Sequence, residues 1–128
     1  MQIATVDTIH VKLPRRRVHK WTGLTEPSGG YVLLKVTGDG GQVGWGEAPV
    51  LKDWGGDHGR YFGETPGTTL HLMERYLGPA VTGADPANIA ELHRMMDAAI
   101  EGYPYAKAAL EMAACDLAGR GLGPMLFT

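Results

Sequence analysis

Residues 105–120 constrain this chain more than any other part of it. Ala106, Ala109, Leu110, Ala113 and Leu117 recur at i, i+3, i+4, i+7 and i+11, the spacing of one apolar stripe on an α-helix. Alanine loses no side-chain entropy in a helix, and a stripe of alanines lets a neighbouring backbone come close. Whatever the rest of the chain forms, it must supply something that packs tightly against this helix.

The first half of the chain reads as strands. Residues 3–10 alternate, with Ile3, Thr5, Asp7 and Ile9 on one face and Ala4, Val6, Thr8 and His10 on the other. Residues 31–36 form a second strand, rich in β-branched and aromatic side chains. Gly38, Asp39, Gly40 and Gly41 tolerate positive φ, and residues 42–47 return as a third strand. Two long glycine-rich segments, about 14–30 and 49–63, interrupt this regular part. Segments of that length inside a compact domain are commonly functional or disordered.

The second half reads as helices. Thr65-Pro66 is an N-cap followed by proline at the first helical position, opening a helix through Leu70, Met73 and Leu77 that Gly78-Pro79 ends. Asp85-Pro86 opens a second through Ile89, Leu92, Met96 and Ile100, which Gly102 stops, and Pro104 opens the alanine-rich third. Strands followed by helices predict an α+β fold, a three-stranded antiparallel meander followed by three packed helices. With 128 residues the chain is expected to be one domain, 1–128.

A net charge of −2 with 20% charged residues gives no general reason to expect nucleic acid or an anionic membrane as partner. Arg15, Arg16 and Arg17 form the one basic cluster, read as a solvated strand end or loop. The single cysteine, Cys115, excludes an intrachain disulfide and reads as a small core residue. The first residues lack the apolar core of a signal peptide and no apolar run is long enough to span a bilayer, so a cytoplasmic location is expected.

Chemistry-bearing residues concentrate in the two interrupting segments. Asp53, Asp57 and His58 are metal-ligand types, but three close ligands without a second cluster make a weak metal signal, and no metal is assigned to this chain. Arg60 can pair bidentately with a carboxylate, while Trp54 or Tyr61 can cover the apolar part of an organic acid. The same rings could instead anchor the segment to the domain's own core. Trp21, beside Lys20 and Thr22, could close over a ligand or pack into a neighbouring domain. His10, His71 and His93 read as structural, and Met73, Met95, Met96 and Met112 as core fillers. No phosphate-binding, zinc-protease, dithiol or nucleophile-elbow signature occurs.

The run Gly44-Trp45-Gly46-Glu47-Ala48, the run Tyr61-Phe62-Gly63-Glu64-Thr65 and the final helix, in that order and spacing, resemble the N-terminal domain of the enolase superfamily in its mandelate racemase and muconate lactonizing enzyme branch. The resemblance covers nearly the whole chain. It implies a domain that caps a modified TIM barrel, with the two long segments closing over the active site. Trp21, Thr22, Trp54, His58, Arg60 and Tyr61 are then the candidate substrate-loop residues. It also implies proton abstraction α to a carboxylate, with the enediolate stabilised by Mg²⁺. The metal ligands and the Lys or His acid/base residues of such enzymes lie on barrel strands, so no catalytic residue and no cofactor is assigned to this chain. The K-x-K base motif is absent, since Lys12, Lys20, Lys35, Lys52 and Lys107 are never two apart.

The expectation is therefore a capping domain, catalytically incomplete as it stands, whose parent acts as a racemase, epimerase, cycloisomerase or dehydratase on an organic acid. The alternative is a free-standing protein- or ligand-binding module that has lost its barrel. A domain without its barrel should expose apolar surface and self-associate.

Overall fold

The computed structural model describes residues 1–14, 16–17, 28–49 and 64–122. Three strands, β1 (Ile3–Pro14), β2 (Ser28–Gly38) and β3 (Val43–Pro49), form one antiparallel sheet in the order β1-β2-β3. The β2–β3 turn closes as the glycines predict. Gly41 N donates to Gly38 O at 3.0 Å, Gly38 N donates to Gln42 O at 2.8 Å, and Gly41 takes φ +87°.

The alternation read along residues 3–10 breaks at its start. The β1–β2 register shifts between Ile3 and Thr5, and one extra residue at that bulge reverses which face the following side chains occupy. Buried Ile3 therefore shares the core with Val6, while Ile9 lies on the opposite face, 43% exposed.

The first helical stretch opens as predicted and ends later than predicted. Thr65 caps α1 (Pro66–Leu72) in a reciprocal box, with Thr68 N donating to Thr65 Oγ1 at 3.1 Å and Thr65 N donating to Thr68 Oγ1 at 2.8 Å. Gly78 does not terminate the stretch. Its φ is −58°, and the chain runs on through a π-helical turn (Met73–Leu77) into α2 (Gly78–Val81). The wider π-turn is compatible with Pro79, which has no N–H to give. Thr82 is extended and Gly83 takes φ +88°, and there the helix stops. Gly83 N donates to Ile3 O at 2.8 Å and Ile3 N to Ala84 O at 2.9 Å, fixing that stop to β1.

The second helix also starts later than its Asp-Pro signal. Asp85 Oδ1 accepts from Ala87 N at 2.9 Å, a side-chain turn and not a cap. The cap is Asn88, whose Oδ1 accepts from Glu91 N at 3.2 Å to open α3 (Ile89–Ala99). Gly102 and Tyr103, both at positive φ, turn the chain into α4 (Pro104–Leu122).

All five residues of the predicted stripe are buried, and they meet Val32, Leu34, Val36 and Ala48 of the sheet, Met73, Leu77 and Val81 of the first helical stretch, and Leu92 and Met96 of α3. The partner that the alanines require is β3. A Cβ built on Gly46 would lie 2.1 Å from Ala109 O, and one on Gly44 would lie 2.2 Å from Ala113 O. Asp116 Oδ2 accepts from Trp45 N at 2.9 Å, so the outer edge of β3 is bonded to α4. Of the expected fillers, Met73 and Met96 are core, whereas Met112 is 48% exposed and lines a shallow hollow with Leu33, Trp45 and Glu47. Cys115 is half-buried and Arg16 and Arg17 are exposed.

Candidate functional site

Register decides where the two interrupting segments leave the sheet. Pro14 lies opposite Ser28, and Tyr31 lies opposite both Val11 and Pro49. The described residues that bound segment 15–27 and the entry to segment 50–63 thus sit at one end of the sheet. The exit of the second segment reaches that end as well. Gly44 faces Ala113 and Leu117, whereas Gly46 faces Ala109 and Ala113, so α4 runs antiparallel to β3 and its N-terminus lies toward Pro49. Glu64 is bound to that N-terminus.

Glu64 is 1% exposed, and its two carboxylate oxygens accept from the first turn of α4: Oε1 from Ala106 N at 2.9 Å and Oε2 from Tyr105 N at 3.1 Å. The first turn of α4 has no acidic residue of its own, so the anion that suits a helix N-terminus comes from a residue about forty positions earlier. Burial and then the Glu64 charge push the Tyr105 phenol above its ordinary value. Gly30 stands beside α1, a built Cβ lying 3.5 Å from Pro66 Cγ. Three elements therefore converge at this end: the β1–β2 hairpin stem, the start of α1 and the start of α4.

The far end of α4's first turn is also tied down. Lys107 is 9% exposed, and its Nζ donates to Asp97 Oδ1 at 2.8 Å and to Ile100 O at 2.7 Å, joining α4 to the end of α3. The hydrogen bond from Lys107, and then its charge, hold the Asp97 carboxyl below its ordinary value. His93 Nε2 and Glu111 Oε2, 2.8 Å apart, make a second α3–α4 link.

The six candidate substrate-loop residues, Trp21, Thr22, Trp54, His58, Arg60 and Tyr61, lie outside the described residues, as do Asp53 and Asp57. What the structure places is the frame on which their segments are mounted. Among the described residues no group of three or more His, Cys, Asp or Glu side chains is arranged to hold a metal ion. No helix among them is long and apolar enough to cross a membrane.

Sequence reading gave Glu64 no role, although it stands in the run from Tyr61 to Thr65. Its partners are 41 and 42 residues away, and the available signal was a helix opening at Pro104 with no acidic residue in its first turn. Asp116, Lys107 and the His93–Glu111 pair escaped for the same reason, since each acts between elements and not along one.

A family model, the N-terminal domain of mandelate racemase / muconate lactonizing enzyme, matches residues 3–127. The chain is 31% identical over 127 residues to an N-succinyl-L-Arg/Lys racemase of Bacillus cereus, covering 99% of this chain and 32% of that protein. It is 34% identical over 124 residues to a chloromuconate cycloisomerase of Cupriavidus necator (95% and 31%), and 30% identical over 135 residues to a cis-3-hydroxy-L-proline dehydratase of Roseibium aggregatum (100% and 34%). The solved structure of the Bacillus cereus racemase superposes with a TM-score of 0.85 at 30% identity over 95% of this chain and 31% of that one. The chain thus spans about a third of the length of the relatives it matches.

Proposed function

This chain belongs to the mandelate racemase / muconate lactonizing enzyme family as an N-terminal domain, and on that premise we propose that it caps the active site of a Mg²⁺-dependent enzyme acting on an organic acid. The observation that supports the reading is that the described residues bounding both long segments, Pro14, Ser28, Pro49 and Glu64, lie at one end of the sheet. A sheet and helix framework from which two chemistry-rich segments depart at one end suits a substrate cover.

In this reading Arg60 pairs with a substrate carboxylate, and Trp54, Tyr61 and Trp21 exclude water from its apolar part, with Thr22 and His58 as polar contacts. The relatives' printed activities, a racemase, a cycloisomerase and a dehydratase, bound the reaction class. Mg²⁺ does not fit the described residues, which offer no three-ligand group. In this reading its ligands belong to the two thirds of the polypeptide that the relatives have in addition, and this chain alone performs no α-proton exchange.

The test is a chimera in which this chain replaces the matched N-terminal third of the Bacillus cereus racemase. Its readout is exchange of the substrate's α-proton in deuterated water. Activity is expected in the chimera and none in the isolated chain. Arg60→Ala should lower kcat/KM by about 10- to 100-fold, the loss of one charge-assisted hydrogen bond. Exchange by the isolated chain, or a folded chimera indifferent to both Arg60→Ala and Trp54→Ala, would overturn the proposal.

A further inference from the structure

Glu64 and Thr65 are neighbours in the chain, yet each caps a different helix. Thr65 shares its reciprocal box with Thr68 and opens α1. Glu64, 1% exposed, receives Ala106 N on Oε1 and Tyr105 N on Oε2 and so opens α4. α4 has no local substitute, since its first turn holds no acidic residue. Tyr103, whose carbonyl accepts from Lys107 N at 3.1 Å, takes φ +53°, outside the extended region from which a capping side chain reaches its own helix. The chain therefore re-enters the framework at a point held from two sides, by one helix start through Thr65 and by another through Glu64.

We propose that Glu64 is a positioning residue for substrate binding, its carboxylate fixing the place from which Arg60 and Tyr61 are presented. The inference rests on the capping function proposed above and deepens it. Arg60 and Tyr61 precede Glu64 by four and three residues, so in any conformation they stay within about 14 Å and about 11 Å of it. In that reading Arg60 meets a substrate carboxylate through a two-pronged contact, which tolerates little displacement. The hold on Glu64 demands a carboxylate. Two amides each claim one of its oxygens, and an amide side chain of the same length has an acceptor for only one of them. Loss of the carboxylate leaves α1 capped by Thr65 but removes this tie between residue 64 and α4. Contacts that Arg60 and Tyr61 make with the bound substrate exist before as well as during proton transfer, so their displacement raises KM and spares kcat.

The chimera with the Bacillus cereus racemase supplies the assay, with N-succinyl-L-arginine as substrate and α-proton exchange as the rate. Glu64→Gln should raise KM at least fivefold and keep kcat within twofold, and Glu64→Ala should raise KM further. Val81→Ala is the control for stability alone. It removes buried methyls at the opposite end of the sheet, where Gly83 N and Ala84 O bond Ile3. It should lower Tm comparably and leave KM unchanged. Folded Glu64 variants with the wild-type KM, or a Val81→Ala chimera whose KM rises as far as that of Glu64→Gln, would overturn the inference and leave the capping function standing. A folded wild-type chimera without exchange activity would overturn both. Where Glu64→Ala does not fold, Glu64→Gln, which keeps one acceptor, decides.

Discussion

Replacing Gly46 by alanine tests the contact on which this fold is built. The added Cβ would lie 2.1 Å from Ala109 O and 3.0 Å from Ala113 N. An ordinary carbon–oxygen contact is about 3.4 Å, so β3 and α4 must separate locally by about 1.3 Å. Both offending atoms are backbone, and the five stripe residues around them are fully buried. No rotamer change can therefore relieve the clash. Overpacking of a core typically costs about 1–3 kcal/mol, and a clash with fixed backbone belongs at or above the upper end. A loss of about 3 kcal/mol from a domain whose whole stability is about 5–15 kcal/mol would lower Tm by on the order of 10 °C. Urea unfolding followed at 222 nm, with the m-value checked for constancy, measures it. Gly67→Ala is the matched control. It lies in α1, its built Cβ has only Thr65 Oγ1 within 4 Å, at 3.7 Å, and it should be neutral or stabilise by up to about 1 kcal/mol. If Gly46→Ala cost less than about 0.5 kcal/mol, the claim that missing side chains on β3 set the sheet–helix spacing would be wrong.

Two further outcomes follow from the links between elements. Glu64→Ala strips the acceptors from two amides of α4 and should cost about 3 kcal/mol, whereas Glu64→Gln keeps one acceptor and should cost less; urea midpoints rank the two. The Asp97–Lys107 pair should stabilise the fold near neutrality and lose that effect in acid. The Asp97 carboxyl is held below its ordinary value, so its contribution is present above about pH 4 and disappears as pH falls through the lowered value. The difference in urea midpoint between wild type and Asp97→Asn should be visible at pH 7 and shrink as pH falls below about 4. A difference that stayed constant through the acid range would show that the pair is not its source.

Elements governed by local chemistry were legible in the sequence. The hairpin at 38–41, the Thr65 cap, the Pro104 start and the buried stripe of α4 each depend on residues within a single element or turn. The misreadings arose where a neighbouring element decides. Gly78 reads as a stop by itself, yet the π-turn carries the helix past it. Asp85-Pro86 reads as a cap, yet Asp85 spends its carboxylate on Ala87 and leaves the cap to Asn88. The bulge after Ile3 has no signature in an alternating strand, since only the pairing with β2 exposes it. Site residues followed the same division. The glycine-rich segments were conspicuous as segments, but Glu64, whose role requires α4 to be in place, was not.

One arrangement reaches beyond stability. β3 ends at Pro49, Glu64 lies fifteen positions further along the chain, and both stations are fastened to the same helix, one through the Gly44 and Gly46 contacts and the other through the first turn of α4. The span between them therefore has both endpoints set by the framework. Closing a longer connection costs only a logarithmic increment of entropy, about 0.6 kcal/mol per doubling. With both endpoints held by α4, a change in the length of the connection between Pro49 and Glu64 would carry only that small entropic cost. Selection for a new ligand and selection for a folded protein would then act on separate stretches of the same chain.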